Sequence, residues 1–292
     1  MQKQLRAAAN TAGILNDFLK TEWHLSNKQI RQAKFRPNGI TVNGIQSRIN
    51  TMLHPGDIVC ITLEEADCGS HHLLPYEYPL SILYEDEDLL AVNKPAGMVV
   101  HPSHGHYMDS LANAVVSYYR QQGTAITIRS VGRLDKDTSG IVVFAKNQTA
   151  CARLSAQRTS GIFQKEYLAL TSASPVPSSG TICTAICKEN SSLMKMKTTQ
   201  NGLPAITHYQ VLQVYHGYAS VLLHLETGRT HQILVHMSAI GHPLLGDSLY
   251  GGPQELIQRT ALHAFRCHFC QPFSGKPIHL KAPIPQDMEA LM

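Results

Sequence analysis

Arg133, Asp135 and Asp137 crowd into one short polar stretch, Gly132-Arg133-Leu134-Asp135-Lys136-Asp137-Thr138-Ser139-Gly140, directly ahead of the apolar run Ile141-Val142-Val143-Phe144-Ala145. The run is β-branched and aromatic, the pattern of a buried strand. Gly140 can take a positive φ at the turn or bring two backbones close together. A carboxylate at the entrance of a rigid strand can be held in one geometry, which general-base and nucleophilic catalysis both require. Asp135 is therefore the first candidate for chemistry. The same residues also fit a charged surface turn, in which Arg133 and Asp135 only solvate a loop end. If the chain is already extended beyond Asp135, Asp137 need not face the same side, so it reads as a surface or turn-stabilising group.

Two other constellations deserve weighing. Cys267-His268-Phe269-Cys270 is a lone C-x-x-C, and structural zinc normally needs two further ligands at suitable spacing. His101, His104 and His106 are candidates, but nothing in the spacing requires them, and no metal is expected. Asp135 with Glu226 could form the carboxylate pair of a glycosidase. The single Trp in the chain argues against an aromatic-rich sugar cleft. Seven cysteines, odd in number and scattered, fit reduced thiols in a cytoplasm better than a disulfide framework.

The elements that must hold these residues are legible as strands more often than helices. Leu89 to Asn93, Ile141 to Ala145, Tyr167 to Thr171 and Val221 to Leu225 all read as strands. A helix from about Asp109 to Arg120 is suggested by Leu111, Ala114, Val115 and Tyr118. Another follows Thr227-Gly228-Arg229, with Thr227 or Thr230 as cap, Ile233, Met237 and Ile240 as buried stripe, and Gly241 with Pro243 as its end. Strand runs broken by few helices argue for an α+β rather than a doubly wound fold. No run approaches the ~20 apolar residues that span a bilayer, and the N-terminus lacks the apolar core of a secretory signal. A chain of 292 residues allows about two domains.

Residues 1–63 carry eight Lys and Arg against three acidic residues, an excess larger than the net charge of +4 for the whole chain. A basic module on a nearly neutral body suggests a polyanion grip at one end. Within it, Ile14, Leu15, Phe18 and Leu19 recur at helical spacing. Ser26-Asn27-Lys28-Gln29 has capping-box form, with Leu25 and Ile30 placed as a hydrophobic staple. The helix that follows carries Lys28, Arg31 and Lys34 on one side, where they can meet phosphates. An Asn43-Gly44 turn and a Pro55-Gly56-Asp57 turn then bracket short strands. Residues 64–80 read as a linker. Glu64, Glu65 and Asp67 open the connection and Glu85 to Asp88 close it. Its acidic character places it on the solvent side, away from a polyanion. The larger domain is expected over 81–292.

Segments along the chain resemble, in order, the motifs of the RluA-type family of RNA pseudouridine synthases. Gly132 to Lys146 resembles the central motif, His-Arg-Leu-Asp-x-x-Thr-Ser-Gly followed by an apolar strand ending Ala-Lys. Leu89 to Pro102 resembles the first motif, a strand entering a Lys-Pro turn. Gln164 to Ala169 resembles the segment carrying the active-site Tyr, and Thr227 to His236 the third motif, continued by Gly241 to Gly251. Two positions depart from the pattern: Gly132 stands where the family usually carries His, and Leu234 where it usually carries Arg. The first module resembles the small RNA-binding domain named after ribosomal protein S-four, through its basic helix, its Val-Asn-Gly turn and its Pro-Gly-Asp turn.

The resemblance implies a mixed, largely antiparallel catalytic sheet crossed by a cleft. It implies Asp135 as catalytic carboxylate, Tyr167 and Arg229 as its companions, and Arg133 as the side chain that replaces an extruded base. The implied reaction isomerises uridine to pseudouridine and needs no cofactor. The implied partner is RNA, foremost large-subunit ribosomal RNA, with transfer RNA a second choice; a cytoplasmic monomer with no membrane contact is expected. Arg229, just ahead of a helix, is placed to pair with Asp135 and hold it ionised, or else to contact phosphate. A competing reading is a non-catalytic RNA-binding protein whose larger domain is a relic. The intact set Asp135, Tyr167 and Arg229 speaks against it, since pure binding would not need them.

Overall fold

The computed structural model describes residues 2–64, 70, 73–124, 126–189 and 195–292. The first part of the chain forms β1 (Gln2–Ala8), β2 (Gly13–Ile14), α1 (Leu15–Thr21), α2 (Asn27–Lys34), β3 (Ile40–Val42), β4 (Ile45–Gln46), β5 (Met52–Leu53) and β6 (Ile58–Glu64). β1, β6, β3 and β4 make a four-stranded antiparallel sheet. Leu15, Leu19, Trp23, Ile30, Val59 and Ile61 close a small core of its own. α2 starts as its sequence demands: the Ser26 hydroxyl accepts from Gln29 N, and the Gln29 side chain accepts from Ser26 N. Asn43 and Gly44 both take positive φ in the turn between β3 and β4.

The rest of the chain continues through β7 (Ile82–Glu85), β8 (Leu89–Lys94), α3 (Leu111–Gln121), β9 (Arg129–Ser130), β10 (Ser139–Ala145), α4 (Gln148–Thr159) and β11 (Gln164–Thr171). It then adds β12 (Ser179–Ile182), β13 (Ala185–Lys188), β14 (Met196–Thr199), β15 (Thr207–Tyr215), β16 (Tyr218–Leu225), α5 (Gln232–Ala239), β17 (Leu262–Cys270), β18 (Pro277–Lys281) and α6 (Gln286–Glu289). A ten-stranded sheet runs β12-β15-β16-β11-β17-β10-β8-β7, with β18 added at β17 and β9 at β10. β10 and β17 are its one parallel pair; the rest is antiparallel. This is an α+β fold, with a smaller α+β unit ahead of a dominant antiparallel sheet, as expected.

β10 explains why its sequence is a continuous apolar run. Val142 and Phe144 pack toward α3 and α5, while Ile141, Val143 and Ala145 pack toward α4. Both faces are covered, so neither parity is polar. Gly140 serves both purposes open to it: its φ is +109°, and a Cβ there would lie 2.3 Å from the Ala264 carbonyl oxygen across the parallel pair. That close approach locks the entrance of β10 against β17.

Two expectations need correction. The acidic run at 85–88 is not simply solvated: Glu85 and Glu87 are exposed, but Asp86 is half-buried and Asp88 buried. Asp88 is buried, forms an ion pair with Lys3 and accepts from Asn147 Nδ2 at 2.7 Å. Glu85 pairs with Lys146 and accepts from the hydroxyls of Tyr118 and Tyr119. Of these contacts, the pair of Asp88 with Lys3 docks the first unit on the second, while those of Glu85 lie within the second. Glu65 and Asp67 lie outside the described residues. The second correction concerns α5, whose N-cap is His231 in the left-handed conformation (φ 52°), with no side-chain cap from Thr227 or Thr230. Ile240, expected in its stripe, is 37% exposed, whereas Ile233, Leu234 and Met237 are buried.

Candidate active site

The loop between β9 and β10 presents Arg133 and Asp135, and a turn from Thr138 N to the Asp135 carbonyl (3.2 Å) closes it. The loop is held from below by Lys94, at the end of β8. This side chain is fully buried, and its ammonium donates to the carbonyls of Pro95 (2.8 Å), Met98 (2.7 Å) and Lys136 (2.9 Å). Three donors meet three acceptors, so the Lys-Pro turn is tied to the Asp135 loop through one atom. Burial pulls the Lys94 pKa down to about 7, and the nearby Asp137 and Asp135 oppose that shift. Sequence reasoning quoted Lys94 within a motif and gave it no role. Its signal was a Lys closing an otherwise apolar strand, which calls for a satisfied buried ammonium.

Asp135 has its pKa raised by burial, while the charges of His231, Arg133 and Lys94 pull it back down. The expected ion pair from Arg229 is not formed. Arg229 is exposed, and its Nε donates to the Pro204 carbonyl at 3.0 Å. The largest charge opposing the raised pKa of the carboxylate is instead that of the helix-capping His231, whose ring pairs with the Tyr250 hydroxyl at 3.0 Å. Leu234 lines the cleft but belongs to the hydrophobic core. A cation is therefore missing there without leaving a hole. Asp137 is exposed, outside the cleft lining, in keeping with a turn role.

Asp135, Arg133, Tyr167 and Arg229 all line a single cleft of about 300 Å³. Tyr167 enters from β11, next to a bulge at Glu166/Tyr167 that re-aims the strand. Burial raises its pKa, with further upward pushes from Cys267 and Asp135 and an opposing one from Arg158. It is held as a neutral phenol. The far wall is the loop into α5, organised by the buried Gln232. Its Oε1 accepts from Arg229 N (3.0 Å) and Thr227 Oγ1 (2.9 Å), and its Nε2 donates to the Ile206 carbonyl (2.9 Å) and Thr207 Oγ1 (3.0 Å). One amide thus fixes the whole segment that carries Arg229 and His231.

Lys28, Arg31 and Lys34 are not in this cleft. They sit exposed on α2 in the first unit, on the helix whose Gln29 donates to Thr149 Oγ1 of α4 at 2.9 Å. Among the described residues, no three His, Cys, Asp or Glu side chains converge in a way that could hold a metal ion. Arg158, near the C-terminal end of α4, also lines the cleft and was not anticipated from the sequence.

Residues 88–239 match the family model described as RNA pseudouridylate synthase. The chain is 37% identical over 271 residues to the uncharacterised RNA pseudouridine synthase YjbO of Bacillus subtilis, covering 93% of this chain and 95% of that one. It is 38% identical over 237 residues to ribosomal large subunit pseudouridine synthase D of Xanthomonas campestris, covering 76% of this chain and 71% of that one. Among solved structures it is similar to human RNA pseudouridylate synthase domain containing 1, at 30% identity with a TM-score of 0.58 over 70% of this chain and 83% of that one.

Proposed function

Because this chain belongs to the RNA pseudouridylate synthase family, we propose that it is an RluA-type enzyme that isomerises specific uridines of large-subunit ribosomal RNA, with Asp135 as its catalytic carboxylate. One observation carries the assignment of the site: a carboxylate, a phenol and three exposed guanidiniums, from four separate stretches of sequence, line one cleft. We place an S-four-like RNA-binding domain at 1–63, a linker at 64–80 and the catalytic domain at 81–292. The ribosomal target follows the names of relatives such as that of Xanthomonas campestris. Transfer RNA is the second choice.

The reaction breaks the bond from ribose C1′ to the base nitrogen, turns the uracil and rejoins it through a ring carbon. Atoms and electrons are conserved, so neither water nor a redox partner enters the balance. Asp135 suits either first step, attack on C1′ or removal of the neighbouring ribose proton. A paired base is out of reach, so the uridine must be unpaired or flipped, at a cost of a few kcal/mol. Arg133, exposed at the mouth of the cleft, fills the vacated stack with its planar cation. Tyr167, kept neutral, offers the uracil a face to stack on and makes a poor base. The rejoined ring carbon must lose a proton and the freed ring nitrogen must gain one, and the phenol's part is to hand that proton on, giving one to the nitrogen as its oxygen takes the carbon's.

No helix among the described residues is long and apolar enough to cross a membrane. The six cysteines among the described residues are free thiols, which supports a reducing compartment, and the cytoplasm is the proposed site of action of a monomer. The test is pseudouridine mapping of total RNA from cells with and without the protein. One site is expected to vanish on deletion and to return with the wild type but not with Asp135→Ala. A site restored by Asp135→Ala would remove Asp135 from the chemistry.

A further inference from the structure

Gly132 and Gly228 both line the cleft, and one guanidinium lies against both. A Cβ on Gly132 would stand 3.2 Å from Arg158 Nη1 and 3.3 Å from its Cζ. A Cβ on Gly228 would stand 3.2 Å from Arg158 Nη2. Gly132 also holds a φ of +85°, which disfavours any other residue. Two absent side chains thus leave the slot into which Arg158 extends from the last turn of α4. Among the described residues its guanidinium has no hydrogen bond or ion pair, and it is exposed.

Arg158 stands where the cleft meets a second cavity of about 380 Å³. Arg133 and Lys165 share the lining of that cavity. Its one carboxylate, Glu226, is engaged by His208 at 2.6 Å. Three cations against one occupied anion make this a positive channel leading away from Asp135. An unpaired, planar, five-donor group at such a junction matches a phosphodiester better than a base edge.

We propose that Arg158 is a substrate-binding residue that grips an RNA phosphate flanking the target uridine, and that the cavity beyond it is the subsite for the adjoining nucleotide. The inference rests on the pseudouridine synthase reading. It gives the missing side chain at position 132 a purpose: the space is used from another element.

The experiment measures pseudouridine formation in total RNA purified from cells lacking the protein, with wild type, Arg158→Ala, Arg158→Lys and Asp135→Ala, at several salt concentrations. Arg158→Ala is expected to lower kcat/KM by roughly ten- to a hundredfold, mainly through KM. Its plot of log kcat/KM against log salt should be shallower by about 0.7, the worth of one phosphate contact on a single strand. Arg158→Lys should keep the slope and recover part of the affinity, since it retains the charge without the fork. A fall confined to kcat, or an unchanged salt slope, would overturn the proposal. A wild type that makes no pseudouridine, like Asp135→Ala, would instead sink the functional reading itself. Should Arg158→Ala lose its fold by circular dichroism, Arg158→Gln provides the same comparison with the side chain's length kept.

Discussion

Arg153 and Arg158 lie on the same helix, and the protein treats them in opposite ways. Arg153 is 9% exposed; its Nε donates to the Trp23 carbonyl at 3.1 Å and its Nη1 to the Pro272 carbonyl at 2.7 Å, with the Phe273 ring beneath. Burial pulls its pKa down to about 10, and Asp88 opposes that. Around it the junction is closed by Lys3 with Asp88 and by Gln29 with Thr149. At the other end of α4, Arg158, Arg133 and Arg229 have no carboxylate within ion-pair distance among the described residues. A charge cluster bonded largely within the protein, with only Arg153 Nη2 left without a partner among its buried nitrogens, fastens two units together. A cluster the protein leaves unsatisfied is available to an anionic ligand. At 1.5 Å per residue, α4 carries the contact at Thr149 to Arg158 over about 14 Å, so one rigid rod spaces the first unit from the cleft.

The comparison is broken most severely at its catalytic end. Asp135→Asn keeps shape and removes the anion, and should lower kcat by about a thousandfold or more while RNA binding persists. Single-turnover rates beside filter binding would check it; a variant within tenfold of wild type would remove Asp135 from the mechanism. At the junction, Arg153→Met keeps volume but leaves the Trp23 and Pro272 carbonyls without their donor. A destabilisation of about 2–4 kcal/mol is expected, read by denaturant unfolding. A near-neutral result would mean the two units are fastened elsewhere. Smaller again is the replacement of Lys28, Arg31 and Lys34 together by Gln. It should weaken RNA binding roughly tenfold or more and flatten the salt dependence, with kcat at saturation unchanged. A fall in kcat would place α2 in the reaction rather than in capture.

What was legible in the sequence divides along the same line. The strand Ile141 to Ala145, the capping box at Ser26 and the placing of Asp135 ahead of a strand were all local patterns, and local physics fixes them. The gathering of Asp135, Tyr167 and Arg229 at one cleft was expected only through resemblance, because they come from elements far apart in sequence. Three things were not legible. The acidic run at 85–88 resembled solvent because charge usually goes to solvent; only the tertiary partners Lys3 and Lys146 make it internal. Arg229 was matched to Asp135 by proximity to a helix start, but the left-handed turn at His231 places the imidazole, not the guanidinium, near the carboxylate. Arg158 had no sequence signal of its own. Its meaning depends on glycines 26 and 70 positions away, and only the fold brings the three together.

The mildest test sets one carboxylate from each region side by side. Burial raises the folded-state pKa of Asp135 above its value in the unfolded chain. Between those two values the folded protein binds more protons than the unfolded one. Stability from this group is therefore present below the ordinary carboxylate pKa of about 3.9 and is lost as pH rises through the folded value. Above the folded value the loss is complete, and there Asp135→Asn should raise Tm slightly. The gain should shrink toward zero as the pH is lowered, because the wild-type group is then protonated in both states. Asp88→Asn should do the reverse at pH 7, since it gives up the ion pair to Lys3 and leaves that ammonium beside a neutral amide, at a cost of about 1–3 kcal/mol. Opposite signs of ΔTm at pH 7 would show that the junction carboxylate holds the fold while the cleft carboxylate is held by it. Equal signs would mean that Asp135 is better solvated or better paired than its surroundings indicate, and the contrast between the two ends of α4 would fail at its most sensitive point.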